Sequence, residues 1–349
     1  MSDTDEQSMI VEATARILAD LADPQTVNAA KDEAHLVPLW QALEEAGLTR
    51  AWVPENKGGA GVSLAAGFEI LRIAGQYACP VALAETLIAG WAMAEAGLDV
   101  PKGPLAILPV RARDRLTLTN AKVTGAARAI PHAAGAGALV VIVADQLMTF
   151  MPGDVVITPR AADMGDHRAD VTFDGATPQI MADMPGGAAA VERIGAVARA
   201  CQMTGALETA LSMTTDYTGE REAFGRKIGK FQAVQQNLAI LAGEVAAALT
   251  ASGSAADTLS TENHLTEAAF LEVAAAKIRC GEAVEKGAGI AHQAHGAIGW
   301  TQDYTLQMFT RRMFGWRNDF GTESDWAVRL GTHIAAKGAE QLWPMITTR

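Results

Sequence analysis

The sequence predicts an α+β chain in which a short β region separates two helical blocks. Helical periodicity runs through residues 4 to 100 and again through 188 to 349. Between them, Pro101, Pro104, Pro109, Pro131, Pro152 and Pro159 break up any long helix. That interval holds short β-type runs at Leu116 to Leu118, Ala138 to Ala144, Val155 to Thr158 and Val171 to Phe173. The expected domains are a helical 1–100, a reduced β domain 101–185 and a helical bundle 186–349.

In the first block, Ile10, Ala13, Ile17 and Leu21 form one helical stripe. Leu36 to Gly47 repeats it with Trp40, Leu43 and Ala46, and Gly47 is placed to stop that helix. The glycines and proline between Pro54 and Gly61 predict a loop, after which Leu64 to Ala78 and Val81 to Gly97 return to helix. Asp183 to Gly187 reads as the linker into the last block. There, Phe231, Val234, Leu238, Leu241 and Val245 predict a buried helix face. Thr258 to His264 predicts a polar turn, Glu267 to His295 a second long helix, and Leu306 to Met313 and Trp326 to Leu342 the closing helices.

With 349 residues, 49% of them hydrophobic, the chain can bury a large core. Its net charge of −12 argues against general binding to nucleic acid or anionic membranes. No apolar run is expected to span a bilayer, and the acidic start Met1 to Gln7 is no secretory signal. Cys79, Cys201 and Cys280 are widely spaced and read as reduced core residues, so the expected compartment is the cytoplasm. No metal site is expected, since His292 and His295 lack further ligands nearby. Dinucleotide, Walker, HExxH and GxSxG signatures are absent.

Two segments suggest chemistry. Arg221-Glu222-Ala223-Phe224-Gly225 leads through a turn to Phe231-Gln232. A guanidinium at such a helix end suits a pyrophosphate. Gln293-Ala294-His295-Gly296-Ala297 ends in a glycine that lets backbone approach a ligand. Taken singly, these are a surface arginine, core phenylalanines and a helix stop.

At their mutual spacing they resemble the flavin-holding signatures of the acyl-CoA dehydrogenase family. Val53-Pro54-Glu55 followed by Gly58-Gly59-Ala60-Gly61 is similar to that family's N-terminal loop. The resemblance implies an FAD-dependent α,β-dehydrogenation of an acyl-CoA thioester, with an electron-transfer flavoprotein as acceptor. It implies FAD contacts at Arg221, Glu222, Ala223, Phe231, Gln232, Gln293, Ala294, His295, Gly296, Ala297 and Thr322. Ala297 stands where the family has a second glycine.

Two departures matter. In Asp319-Phe320-Gly321-Thr322, Phe320 occupies the position of the family's catalytic glutamate. Some members place the base near a later helix–helix loop, which makes Glu262 a candidate with Asp257 behind it; two solvated loop carboxylates is the plainer reading and is favoured. The stretch 101–185 lacks both the family's ring-binding turn and any tryptophan. Arg193 resembles a substrate-side arginine but lies about one turn too early. This pattern implies one half of a heteromeric α2β2 dehydrogenase, of the kind found in bacterial steroid and bile-acid side-chain degradation, with a partner that supplies the ring site and the base. The rivals are a self-sufficient enzyme using Glu262 and a non-catalytic scaffold of the same fold. Few bulky aromatics leave room for a wide acyl group.

Overall fold

The computed structural model describes residues 3–347, apart from 31, 32, 112 and 162–164. Five helices open the chain: α1 (Asp3–Leu21), α2 (Pro24–Ala29), α3 (Leu36–Glu45), α4 (Leu64–Gln76) and α5 (Leu83–Glu95). Gly47 sits at φ 73, a left-handed conformation that ends α3 as the sequence predicts. α4 starts where the Ser63 hydroxyl accepts from the Ala66 N–H.

Eight strands follow: β1 (Leu105–Leu108), β2 (Arg115–Thr119), β3 (Lys122–Pro131), β4 (Ala138–Val143), β5 (Gln146–Phe150), β6 (Val156–Pro159), β7 (Arg168–Ala176) and β8 (Ile180–Asp183). They form two four-stranded sheets, β1-β4-β5-β8 and β2-β3-β7-β6. Only β1 and β4 run parallel. Phe150 of β5 meets Phe173 of β7 edge-on with centroids 5.1 Å apart, so the sheets share a core.

The predicted strands are all present, and β1, β3, β5 and β8 join them. β1 is fully buried between two prolines, so it has no alternation to show. β3 slips register twice, between Val123 and Gly125 and between Ala127 and Ile130, which breaks the two-residue period.

The last block contains α6 (Gly187–Glu220), a hairpin of β9 (Glu222–Ala223) and β10 (Arg226–Lys227), and α7 (Gln232–Thr261). It continues with α8 (Glu267–His295), α9 (Leu306–Arg317), α10 (Glu323–Lys337) and α11 (Ala339–Thr347). Side chains at Gly75 and Gly205 would run into backbone oxygens of Gln202 and Arg72, at 2.1 and 1.8 Å, so these glycines let α4 and α6 cross in direct contact.

Four expectations need correction. α7 continues through Thr261, its last turn held by buried Leu259 and by the Thr261 hydroxyl on the Asp257 carbonyl, so the predicted turn shrinks to 262–266. The segment Trp326 to Leu342 is two helices, parted at Gly338 with φ 94. On the predicted buried face of α7, Leu241 and Val245 are buried while Phe231, Val234 and Leu238 are half-exposed, because the start of α7 is only partly covered by the bundle. α7 is also long and apolar enough by length and composition to cross a membrane, which the sequence was not expected to offer. Here it packs on α8 and α6.

Candidate functional site

The two signature segments meet at one end of the bundle. Arg221 caps α6, its N–H on the Tyr217 carbonyl at 2.8 Å. In the hairpin beyond, Phe224 and Gly225 sit at φ 52 and 76, as a type I′ turn requires. The turn leaves Phe224 96% exposed. Arg226 lies 4.0 Å above the Phe231 ring and fixes it beside the hairpin. Arg221, Glu222 and Gln232 are exposed, while Ala223 and Phe231 are half-buried.

The second segment ends α8. Tyr217, one helical turn before Arg221, stacks on His295 at 4.4 Å and donates to the His295 carbonyl at 3.3 Å. This contact joins the two segments. The His295 ring is fully used: Nδ1 lies 2.8 Å from the Ala291 carbonyl and Nε2 3.3 Å from the Tyr304 hydroxyl. Burial holds its pKa below the usual histidine range, so it is a neutral core group. Gln293, Gly296 and Ala297 are exposed and Ala294 half-buried, with Gly296 at φ 67. A cavity of about 480 Å³ opens beside them. His292 stacks on the exposed Trp300 at 3.8 Å and leaves its Nδ1 without a partner in that wall. This half fits a polar, planar cofactor portion: a free arginine, two free amides, an unpaired ring nitrogen and a glycine with nothing near its missing side chain.

The Phe320 corner is the opposite. Phe320 is 3% exposed at φ 53, a backbone conformation rare for a bulky residue. Its N–H donates to the Val110 carbonyl at 2.6 Å, and Trp326 Nε1 donates to its carbonyl at 2.9 Å. Its ring lies on the α6 backbone, where a side chain at Gly195 would come within 2.5 Å of it. Neighbouring Asp319 is completely buried. It accepts two bonds from Arg168, at 2.7 and 3.0 Å, and one from Arg199 Nε at 3.1 Å. Arg199 also bonds Gln202 at 2.6 Å and pairs with Glu85. Burial opposes the Asp319 charge, but the two guanidiniums outweigh it and hold the carboxyl below its ordinary range. An ion network from α5, β7, α6 and the α9–α10 junction therefore ties all three regions together.

A cavity of about 340 Å³ remains beside Phe320. It holds a carboxylate that sequence reasoning missed, Asp114, whose Oδ2 has no partner and whose pKa burial pushes up. The sequence held no signal for it, as Asp114 lies in a loop among arginines. Glu192 also lines this cavity but is bound to Arg329 at 2.9 Å. Glu262 does not line it. It is exposed at the end of α7 and accepts from the Thr266 hydroxyl at 3.2 Å, while Asp257 is exposed one turn earlier. Thr322 caps α10, its hydroxyl shared with Asp325 at 2.9 Å, so that hydroxyl serves the fold. Arg193 braces the α7–α8 loop through the Thr266 carbonyl at 2.9 Å. Among the described residues no cluster of three His, Cys, Asp or Glu could hold a metal.

Residues 4–102 match the acyl-CoA dehydrogenase N-terminal domain, and residues 187–323 match the acyl-CoA dehydrogenase C-terminal domain. Acyl-CoA dehydrogenase IpdE2 of Mycobacterium tuberculosis is 26% identical over 90% of this chain and 93% of its own length. Among solved structures, the fold is similar to the ChsE4-ChsE5 complex from Mycobacterium tuberculosis, with TM-score 0.85, 22% identity, and 97% of this chain and 100% of that chain covered. The Tcur3481-Tcur3483 steroid ACAD variant superposes with TM-score 0.84 at 24% identity over 96% of this chain and 99% of that one. FAD is the cofactor of the family these matches define, and the half-site on α6, α7 and α8 suits it. The chain is a member of the acyl-CoA dehydrogenase family.

Proposed function

We propose that this chain is one subunit of a heteromeric acyl-CoA dehydrogenase and shares an FAD site with a different partner chain. The observation that carries the reading is the contrast within one molecule: an open flavin-type surface at Arg221 and Gln293, and a base corner where buried Phe320 stands in the glutamate position and Asp319 is held in an ion network. Bound FAD would supply the hydride acceptor. Arg221 would hold the pyrophosphate through a charge-assisted contact. Glu222, Ala223, Phe231 and Gln232 would line its path, and Gln293 to Ala297 would face the adenosine side through backbone and amide groups. Thr322 would offer only its backbone. The partner would supply the ring-binding β region and the carboxylate that removes the α-proton.

The likeness to the ChsE4-ChsE5 complex and to Tcur3481-Tcur3483 supports a heteromer. Tcur3481-Tcur3483 is a steroid acyl-CoA dehydrogenase, and this, with the scarcity of bulky aromatics here, supports a wide acyl-CoA substrate. An electron-transfer flavoprotein is the acceptor in this reading, and the exposed apolar face of α7 meets protein rather than lipid in a cytoplasmic complex. The self-sufficient alternative loses ground because Glu262 is exposed and does not line the Phe320 cavity.

The test is the visible spectrum of the chain purified alone and then co-expressed with the acyl-CoA dehydrogenase encoded beside it. A colourless chain that turns yellow and larger with its neighbour is the expected outcome. Stoichiometric flavin in the single chain would overturn the shared site.

A further inference from the structure

A cavity of about 630 Å³ lies apart from the flavin-type surface and touches the Phe320 corner through Arg168. It lies between α3, the turn before α5 and the edge of the β region, and none of the flavin-type segments lines it. Its apolar wall is Leu36, Val37 and Trp40 from one face of α3, with Val81 and Pro104 opposite, and Glu33, Gln41, Glu44, Arg160 and His167 also line it. A cavity of this size and character is typical of small-molecule sites.

Two of its polar groups, His132 and Arg168, stand out. His132 is held at φ 54, its N–H on the His167 carbonyl at 2.7 Å. Such a conformation is rare outside glycine and is found where surrounding structure imposes it, often at ligand sites. The His132 ring faces the cavity and makes no hydrogen bond among the described residues. Burial keeps it below the usual histidine range, hence neutral. Arg168, only 6% exposed, also lines the cavity, and its Nε has no acceptor.

The cations here are already matched. Arg168 is paired with Asp319 at 2.7 Å, Arg160 with Asp170 at 3.0 Å and His167 with Glu33 at 3.0 Å. A buried carboxylate would meet Glu33 and Glu44 and only the Nε of an arginine already neutralised by Asp319, and would be costly to desolvate. A neutral oxygen would need no counter-charge and could take the imidazole N–H of His132.

We propose that this cavity binds a compact, neutral, apolar molecule with one carbonyl oxygen, recognised by His132. The site is separate from the flavin surface, and the proposal stands whether or not the flavin is shared.

Three isosteric probes test it by titration calorimetry on the full-length chain: 2-acetylnaphthalene, 2-naphthoate and 2-isopropylnaphthalene. The ketone should bind about tenfold more tightly than either of the others, the worth of one hydrogen bond against a charge or a hydrocarbon. Val81→Trp, which fills the cavity, should remove binding of all three. His132→Gly should bring the ketone down to the level of the hydrocarbon without lowering the thermal midpoint, since glycine accepts that φ freely. The proposal is overturned if no probe binds at roughly 1 mM, if naphthoate binds most tightly, or if Val81→Trp leaves ketone binding unchanged.

Discussion

The Phe320 corner and the Arg221 surface are built from opposite materials. At Phe320, a bulky ring and an ion network of Asp319, Arg168, Arg199 and Glu85 are buried together. At Arg221, charged, amide and aromatic groups are arranged on a stiff hairpin and a helix end, yet face solvent. Phe224 is 96% exposed and Trp300 70%. The first region is complete without help and the second is not. A subunit that kept its own base would instead carry a carboxylate at residue 320.

The largest expected effect tests the closed side. Asp319→Asn removes the charge that balances buried Arg168 and Arg199, and should cost about 3–5 kcal/mol in denaturant unfolding. The native carboxyl titrates below its ordinary value of 3.8, so its contribution is fully present above that pH and is lost as pH falls through the lower folded value. The gap between wild type and variant should therefore narrow in acid. A variant as stable as wild type at pH 7 would mean the network does not hold the regions together.

The open side comes next. Arg221→Ala should weaken flavin retention by the assembled complex by about tenfold or more, measured as the 450 nm absorbance left after dialysis. The variant should fold normally, because the Arg221 side chain is exposed. Unchanged flavin content would remove Arg221 from the cofactor site.

A third test asks whether the sealed corner is inert. Phe320→Glu in the chain alone should give no dehydrogenase turnover with any acyl-CoA, because the ring-binding half is missing. Any turnover would show that the β region is more complete than its sequence indicates.

The smallest effect concerns Asp114. Its pKa is raised by burial, so its folded form favours the proton and stability falls as pH rises past that value. Asp114→Asn should raise stability at pH 7 by about 0.5 kcal/mol or less and change nothing near pH 3. Loss of turnover in the assembled complex would instead give this carboxylate a part in the chemistry.

The open surface was legible because its parts are local. Phe224 and Gly225 are adjacent and specify their own turn, and Gly296 ends α8 within the segment that carries it. The closed corner was not legible beyond Phe320 itself. Glu85, Arg168, Arg199 and Asp319 lie on four distant elements, and each alone reads as a surface charge. His295 shows the same limit from the other side: its position in a flavin-type motif was plain, but its engagement with Tyr217, Ala291 and Tyr304 depends on two other helices.

By itself the sequence determined the helix–β–helix order, the two signature segments and the absence of a glutamate at position 320, because periodicity, turn chemistry and residue identity act over a few neighbours. Only the tertiary structure decided which charges are buried together, that Asp114 shares the Phe320 cavity while Glu262 does not, and that His132 lines a cavity together with α3. Those outcomes depend on long-range packing, which sets the local dielectric and the partner of every polar group, and no stretch of chain carries that information alone.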